Sequence, residues 1–145
     1  WEEAYKDVSM TLVSLAKAAD SIMGRGIKAL GRQAGVVAAP HIPEVFEGQE
    51  LADKLEKLQQ RFRYSFDFDF EMEENGKLRF TFAQCALFQI VENETTEKVG
   101  EAVLCQLFHD FLAGLISTYS ENVDYRHVDT KVEPTKKCIL VFSPI

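Results

Sequence analysis

Between positions 64 and 82 the chain is built on a strict alternation. Tyr64, Phe66, Phe68, Phe70 and Met72 take turns with Ser65, Asp67, Asp69 and Glu71. A period of two means a strand with one apolar face and one wet face. Asn75-Gly76 then supplies the positive-φ turn of a hairpin. Leu78, Phe80 and Phe82 carry the apolar face along the return strand, and Arg79 falls among the acidic residues of the wet face. An aromatic sheet face must be covered, so the hairpin requires helices on that side.

The flanking segments supply them. Val8, Leu12, Leu15, Ala19 and Ile22 recur at helical spacing and predict a helix from Glu3 to about Leu30. Gly31 and Gly35 either let a helix approach its neighbour closely or end it. Residues 38–43 hold Pro40 and Pro43 and read as a connector. Gln49 to Phe62 is a second helix, with Leu51, Leu55, Leu58 and Phe62 on one stripe. Gln84 to Val91 is apolar but has no clean period.

A long helix is expected to begin near Thr95 or Thr96, with Glu97 and Glu101 at its positive end, and to run to about Tyr119. Its apolar arc is broad, which makes it the central buried helix. Val123 to Val132 and Cys138 to Phe142 are two further strands around a turn at residues 133–137. The predicted fold is α+β: a four-stranded antiparallel sheet from two hairpins, with helices packed on it. At 145 residues, 46% hydrophobic, the chain reads as a single domain, residues 1–145. It lacks an initiator Met, so it also reads as a piece of a longer protein.

The net charge of -7 repels phosphate backbones and argues against nucleic acid as a partner. No apolar run has the length of a membrane span. Three cysteines at irregular spacing are poor material for a disulfide framework. Reduced thiols and a cytoplasmic setting fit better.

Those cysteines carry most of the chemistry. Cys105 and His109 are i and i+4 on the central helix and point the same way. Cys138 opens the last apolar run, and Cys85 closes the return strand. Thiolates with an imidazole suit zinc or iron, so Cys105, His109, Cys138 and Cys85 are the candidate metal ligands. The same residues also read as buried thiols beside a hydrogen-bonded histidine. A Cys–His nucleophilic pair is a third reading, and it would make the chain an enzyme rather than a binding protein. Asp67, Asp69 and Glu71 could bind Ca²⁺ or form an acid/base pair, but alternation on a half-exposed strand explains them. His41 and His127 have no spaced partner and read as surface or packing histidines. Phosphate-loop and dinucleotide fingerprints are absent.

The stretch from Gly100 to Leu115, with its Phe111-Leu112-Ala113-Gly114-Leu115 turn, and the final Lys137-Cys138-Ile139-Leu140-Val141-Phe142 strand resemble the 4-vinyl-reductase, or hydrocarbon-binding, domain family. The Gly31 to Gly35 region resembles its N-terminal glycine/arginine helix. The thiazoline-carboxylate-hydrolase-like family is a cousin. The resemblance implies an α+β small-molecule-binding domain, commonly a homodimer, with relatives in tetrapyrrole biosynthesis, aromatic sensing and vesicle tethering. It implies a cysteine-rich zinc site mapping onto Cys105 and Cys138. This chain departs from the pattern where the family often has another Cys in the penultimate strand, having His127, Asp129 and Thr130 there.

The expectation is therefore a binding or sensing domain for a hydrophobic or tetrapyrrole-like small molecule. Phe66, Phe68, Phe80, Phe82, Phe108 and Phe111 would line its pocket, and a Cys/His metal would close one end. A Cys- or metal-dependent hydrolase or reductase accessory, and a structural dimerisation or interaction module, are the alternatives. The interaction module would show a solid core and a large apolar surface.

Overall fold

A computed structural model describes residues 1–145. The helices are α1 (Glu2–Met23), α2 (Ile27–Ala38), α3 (Leu51–Phe62), α4 (Ala86–Glu94) and α5 (Val103–Ser120). The strands are β1 (Phe66–Met72), β2 (Leu78–Cys85), β3 (Tyr125–Val132) and β4 (Cys138–Pro144). All four form one antiparallel sheet in the order β1-β2-β4-β3. The expected α+β architecture of two paired hairpins under helices is the architecture observed.

The first hairpin follows its sequence pattern closely. Phe68 faces Phe82 and Phe70 faces Phe80 across the β1–β2 pair. Gly76 takes φ 82°, and Glu73 and Lys77 close the turn. Arg79 lies opposite Glu71 and forms an ion pair of 2.8 Å with Glu73. On the inner face Phe68, Leu78, Phe80, Leu140 and Phe142 are buried against Leu112, Leu115, Ile116 and Tyr119 of α5. Phe68 and Phe80 stack with their centroids 5.0 Å apart. Such pairs add about 0.5–1.5 kcal/mol to the burial of their area.

α5 is the central helix, but it starts later than expected. Thr95 accepts the N–H of Glu97 and donates to the Val91 carbonyl, so it ends α4 instead of capping α5. Glu97 does stand at the positive end of α5, where its carboxylate accepts the Val103 N–H. The ambiguous segment after β2 is α4, a helix of nine residues. The proline connector winds into two short 3-10 turns, because Pro40 and Pro43 each sit at a helical start where a missing N–H costs nothing.

The single helix expected from Glu3 to Leu30 is two. Gly24, at φ 53°, ends α1, and a 3-10 turn over Gly24–Gly26 redirects the chain into α2. α2 then crosses α5 at backbone distance. A Cβ on Gly35 would meet the Phe111 carbonyl, and one on Gly114 would meet the Arg32 carbonyl. Gly31 faces Leu107 O and Asp110 Cβ. Of the two roles open to Gly31 and Gly35, close approach is the one they perform.

α1 turns an unexpected side to the core. Its buried residues are the small Ser9 and Ala16. The stripe that predicted the helix lies about a quarter turn away at 100° per residue. On it Val8, Leu15 and Ile22 are 58%, 63% and 84% exposed.

Candidate functional site

Three elements bring the expected soft ligands to one place. β2 ends at Cys85, β4 begins at Cys138, and the first turns of α5 carry Cys105 and His109. All four side chains line one apolar cleft with Phe82, Leu87, Phe88, Val99, Gly100, Phe108 and Leu140. The cleft is nearly closed, with a volume of about 10 Å³, room for about one water.

Cys105 and His109 are both buried. Cys105 Sγ accepts the N–H of Gly100 at 3.4 Å. Burial, helped by the neighbouring thiols Cys85 and Cys105, pushes the Cys138 thiol up to about 12, and burial pushes Cys85 up to about 11 against the lowering effect of the Phe88 and Leu87 backbone. Burial also raises Cys105. Raised thiols are poor nucleophiles near neutral pH, because the attacking species is the thiolate.

The polar contact of His109 is made with β3 and not with the thiols. Its ring lies 4.7 Å from that of His127. Thr130 Oγ1 stands 3.3 Å from Nδ1 of His109 and 2.7 Å from Nε2 of His127. One hydroxyl hydrogen serves only one ring, so the other ring donates to the oxygen. Burial, reinforced by the charge of His127, holds His109 down to about 3. Burial lowers His127 as well, against the raising effect of Asp129. His127 is thus not the isolated packing histidine its spacing suggested.

The expected metal centre at Cys105, His109, Cys138 and Cys85 does not fit this placement. No group of three or more His, Cys, Asp or Glu side chains is positioned to hold a metal ion. The strand register gives the reason. Cys138 pairs with Phe82, which leaves Cys85 three residues on, about 10 Å along the strand. The four side chains share a wall without converging on a point. Nor does a hydrogen bond join Cys105 to His109, so the nucleophilic pair is not assembled.

The six phenylalanines divide. Phe82 and Phe108 line the cleft. Phe68 and Phe80 are sealed in the core, and Phe66 and Phe111 pack around it. Phe66 stacks on Phe108 at 4.5 Å.

Two polar fastenings toward the other end of α5 were not anticipated. Arg32 donates to the Tyr125 carbonyl at 2.6 Å and to Ser117 Oγ at 2.9 Å, and that hydroxyl accepts the Tyr125 N–H. Lys54, 5% exposed, donates to the Tyr119 carbonyl at 2.8 Å near the C-terminal end of α5. A cation there is favoured by the helix dipole. Lys54 is i+3 from Leu51 and i−4 from Leu58, so it sits beside the apolar stripe of α3, and that position is the signal that could have found it.

No helix is long and apolar enough to cross a membrane. Neither a family model nor a curated protein matches the chain. A solved structure does resemble it: trafficking protein particle complex subunit 3 from Naegleria fowleri, covalently bound to palmitic acid. The TM-score is 0.69 at 8% identity, over 100% of this chain and 97% of that one. At that identity the likeness is one of fold.

Proposed function

We propose that this chain is an interaction module that docks through α1 onto a folded protein partner. The observation that carries the reading is the outward apolar stripe of α1, with Leu15 and Ile22 63% and 84% exposed. Sizeable apolar patches on a protein surface mark interaction sites. A cleft with room for about one water accords with a scaffold more than with a ligand carrier. The neighbour in fold is itself a subunit of a complex. Photo-crosslinking tests the reading: p-benzoylphenylalanine replaces Leu15, or Lys131 on β3 as the control, in the organism that makes the protein. A protein adduct from position 15 and none from position 131 is expected. No adduct from position 15 removes the docking role.

A second reading, a site for a hydrophobic small molecule, rests on the thiol-lined cleft. Its Phe82, Cys85, Phe88 and Cys138 also wall an open surface groove of about 200 Å³. An apolar chain could enter from that groove if α4 moved aside, and the fold neighbour carries palmitic acid. Thermal melts with palmitate and with a tetrapyrrole test it. A stabilisation that Phe88→Trp abolishes supports the site, and unchanged melts with both ligands eliminate it.

A further inference from the structure

Residues of α2, α5 and β3 line an open trough on the side of the sheet's last strand. It consists of two adjoining hollows, of about 360 Å³ and about 390 Å³, and Lys28, Asp110 and His127 line both. Charge is sorted along it. Arg32 and Arg126 stand in the first hollow, Glu101 and Asp129 in the second. We infer that the trough binds an elongated zwitterion, its anionic group at Arg126 and its ammonium at Asp129 and Glu101. The site is separate from the α1 stripe, and of the residues of the thiol cleft it shares Gly100 and His109.

The fold leaves these charges without partners. None of the seven ion pairs uses Lys28, Asp110, Arg126 or Asp129, and Glu101 meets only the exposed Lys98 at 3.5 Å. Arg32 is the one cation held in place, by Ser117 and the Tyr125 carbonyl, with the exposed Asp124 at 3.6 Å. Burial raises the Asp110 carboxyl, and Lys28 and Arg32 pull it back. A shifted carboxyl among free charges in a hollow is the usual mark of a binding site. The β3 wall is also specially shaped. The irregularity between His127 and Asp129 sets His127 and Thr130 side by side on the trough. Bulges of this kind gather where a side chain has to be re-aimed.

The sorting selects the class of ligand. With 23 acidic residues against 16 basic, the chain repels a simple anion, and the arginine end repels a simple amine. A molecule carrying both charges in the matching order meets neither penalty. Arg126 and Asp129 are three positions apart on β3, about 10 Å of strand. An extended tripeptide has about the same span between its termini.

Proton NMR of the purified chain tests this through its three histidines, with signals assigned from His127→Gln and His41→Gln. Triglycine is the probe, and succinate and ethylammonium are the single-charge controls at fixed ionic strength. Triglycine is expected to move the His127 signals saturably and to leave those of His41, in the proline connector, unmoved. Each control is expected to bind at least about tenfold more weakly. Arg126→Gln and Asp129→Asn are each expected to weaken triglycine at least about tenfold. Both side chains are exposed, so circular dichroism is expected to match the wild type. The absence of a saturable His127 shift at tens of millimolar triglycine overturns the inference. So does a control that binds as tightly as triglycine, or a shift that both variants leave intact.

Discussion

His127 and Thr130 are three residues apart on β3, yet their side chains meet at 2.7 Å. In a regular strand such residues point to opposite faces. The β3–β4 register jumps between His127, opposite Phe142, and Asp129, opposite Val141, so Val128 is the extra residue of a bulge. The bulge turns both side chains toward His109. Thr130→Val keeps the shape and removes the only hydroxyl between two rings. A loss of about 1–3 kcal/mol is expected in urea denaturation, the cost of leaving buried polar groups unpaired.

The same cluster sets a pH dependence. His109 is held below its ordinary value of 6.5, at about 3, chiefly by burial. The unfolded chain therefore binds a proton that the folded chain refuses. Stability from this group is full above pH 6.5 and is lost as pH falls from 6.5 toward 3. The urea midpoint should drop between pH 7.5 and pH 5, by an amount worth up to about 2 kcal/mol. His109→Gln should flatten that part of the profile, and a slope unchanged in the variant would assign the effect to other groups.

Backbone contact between α2 and α5 leaves no room for a side chain. Gly35→Val and Gly114→Val should each cost more than about 3 kcal/mol, since the atoms in the way are backbone carbonyls and cannot swing aside. Gly76→Ala should cost only about 1 kcal/mol, the strain of a positive φ in a turn. Guanidinium denaturation ranks the three, and equal losses would contradict the seam.

Ser9 is 1% exposed, and its hydroxyl has no hydrogen-bond partner. Ser9→Ala should raise stability by about 1 kcal/mol, removing an unpaired buried group and improving helix propensity together. A thermal melt that falls instead would reveal a partner for that hydroxyl.

Thiol chemistry reads out the cleft. With Cys85 raised to about 11 and Cys138 to about 12, alkylation by iodoacetamide at pH 8 should be at least about a hundredfold slower than in the denatured chain. Half-exposed Cys85 should be modified first, as peptide mapping would show. Rapid modification of Cys138 would mean that the cleft opens readily.

The hairpin from Phe66 to Cys85 was legible because alternation and Asn75-Gly76 act locally and agree with the final packing. The α5 arc was legible for the same reason. Periodicity found α1 but assigned its stripe to the core, since a pattern reports which residues share a face and not where that face points. The convergence of Cys85, Cys105, Cys138 and His109 on one cleft followed from the expected sheet and helix. The failure of those donors to meet follows from register, which spacing does not encode. The partnership of His127 with Thr130 depends on one extra residue in a strand, and no residue type announces a bulge of that kind.

The turn over Gly24–Gly26 divides the molecule mechanically. α2 is locked onto α5 backbone to backbone, so the body from α2 onward has a fixed keel. α1 is strapped across that keel: it packs on α4 and α5, buries Ser9 and Ala16, and pairs Lys17 with Glu97. Joint and strap together fix its pitch, so a change at Gly24 would work against the seat of the whole helix and not merely swing it.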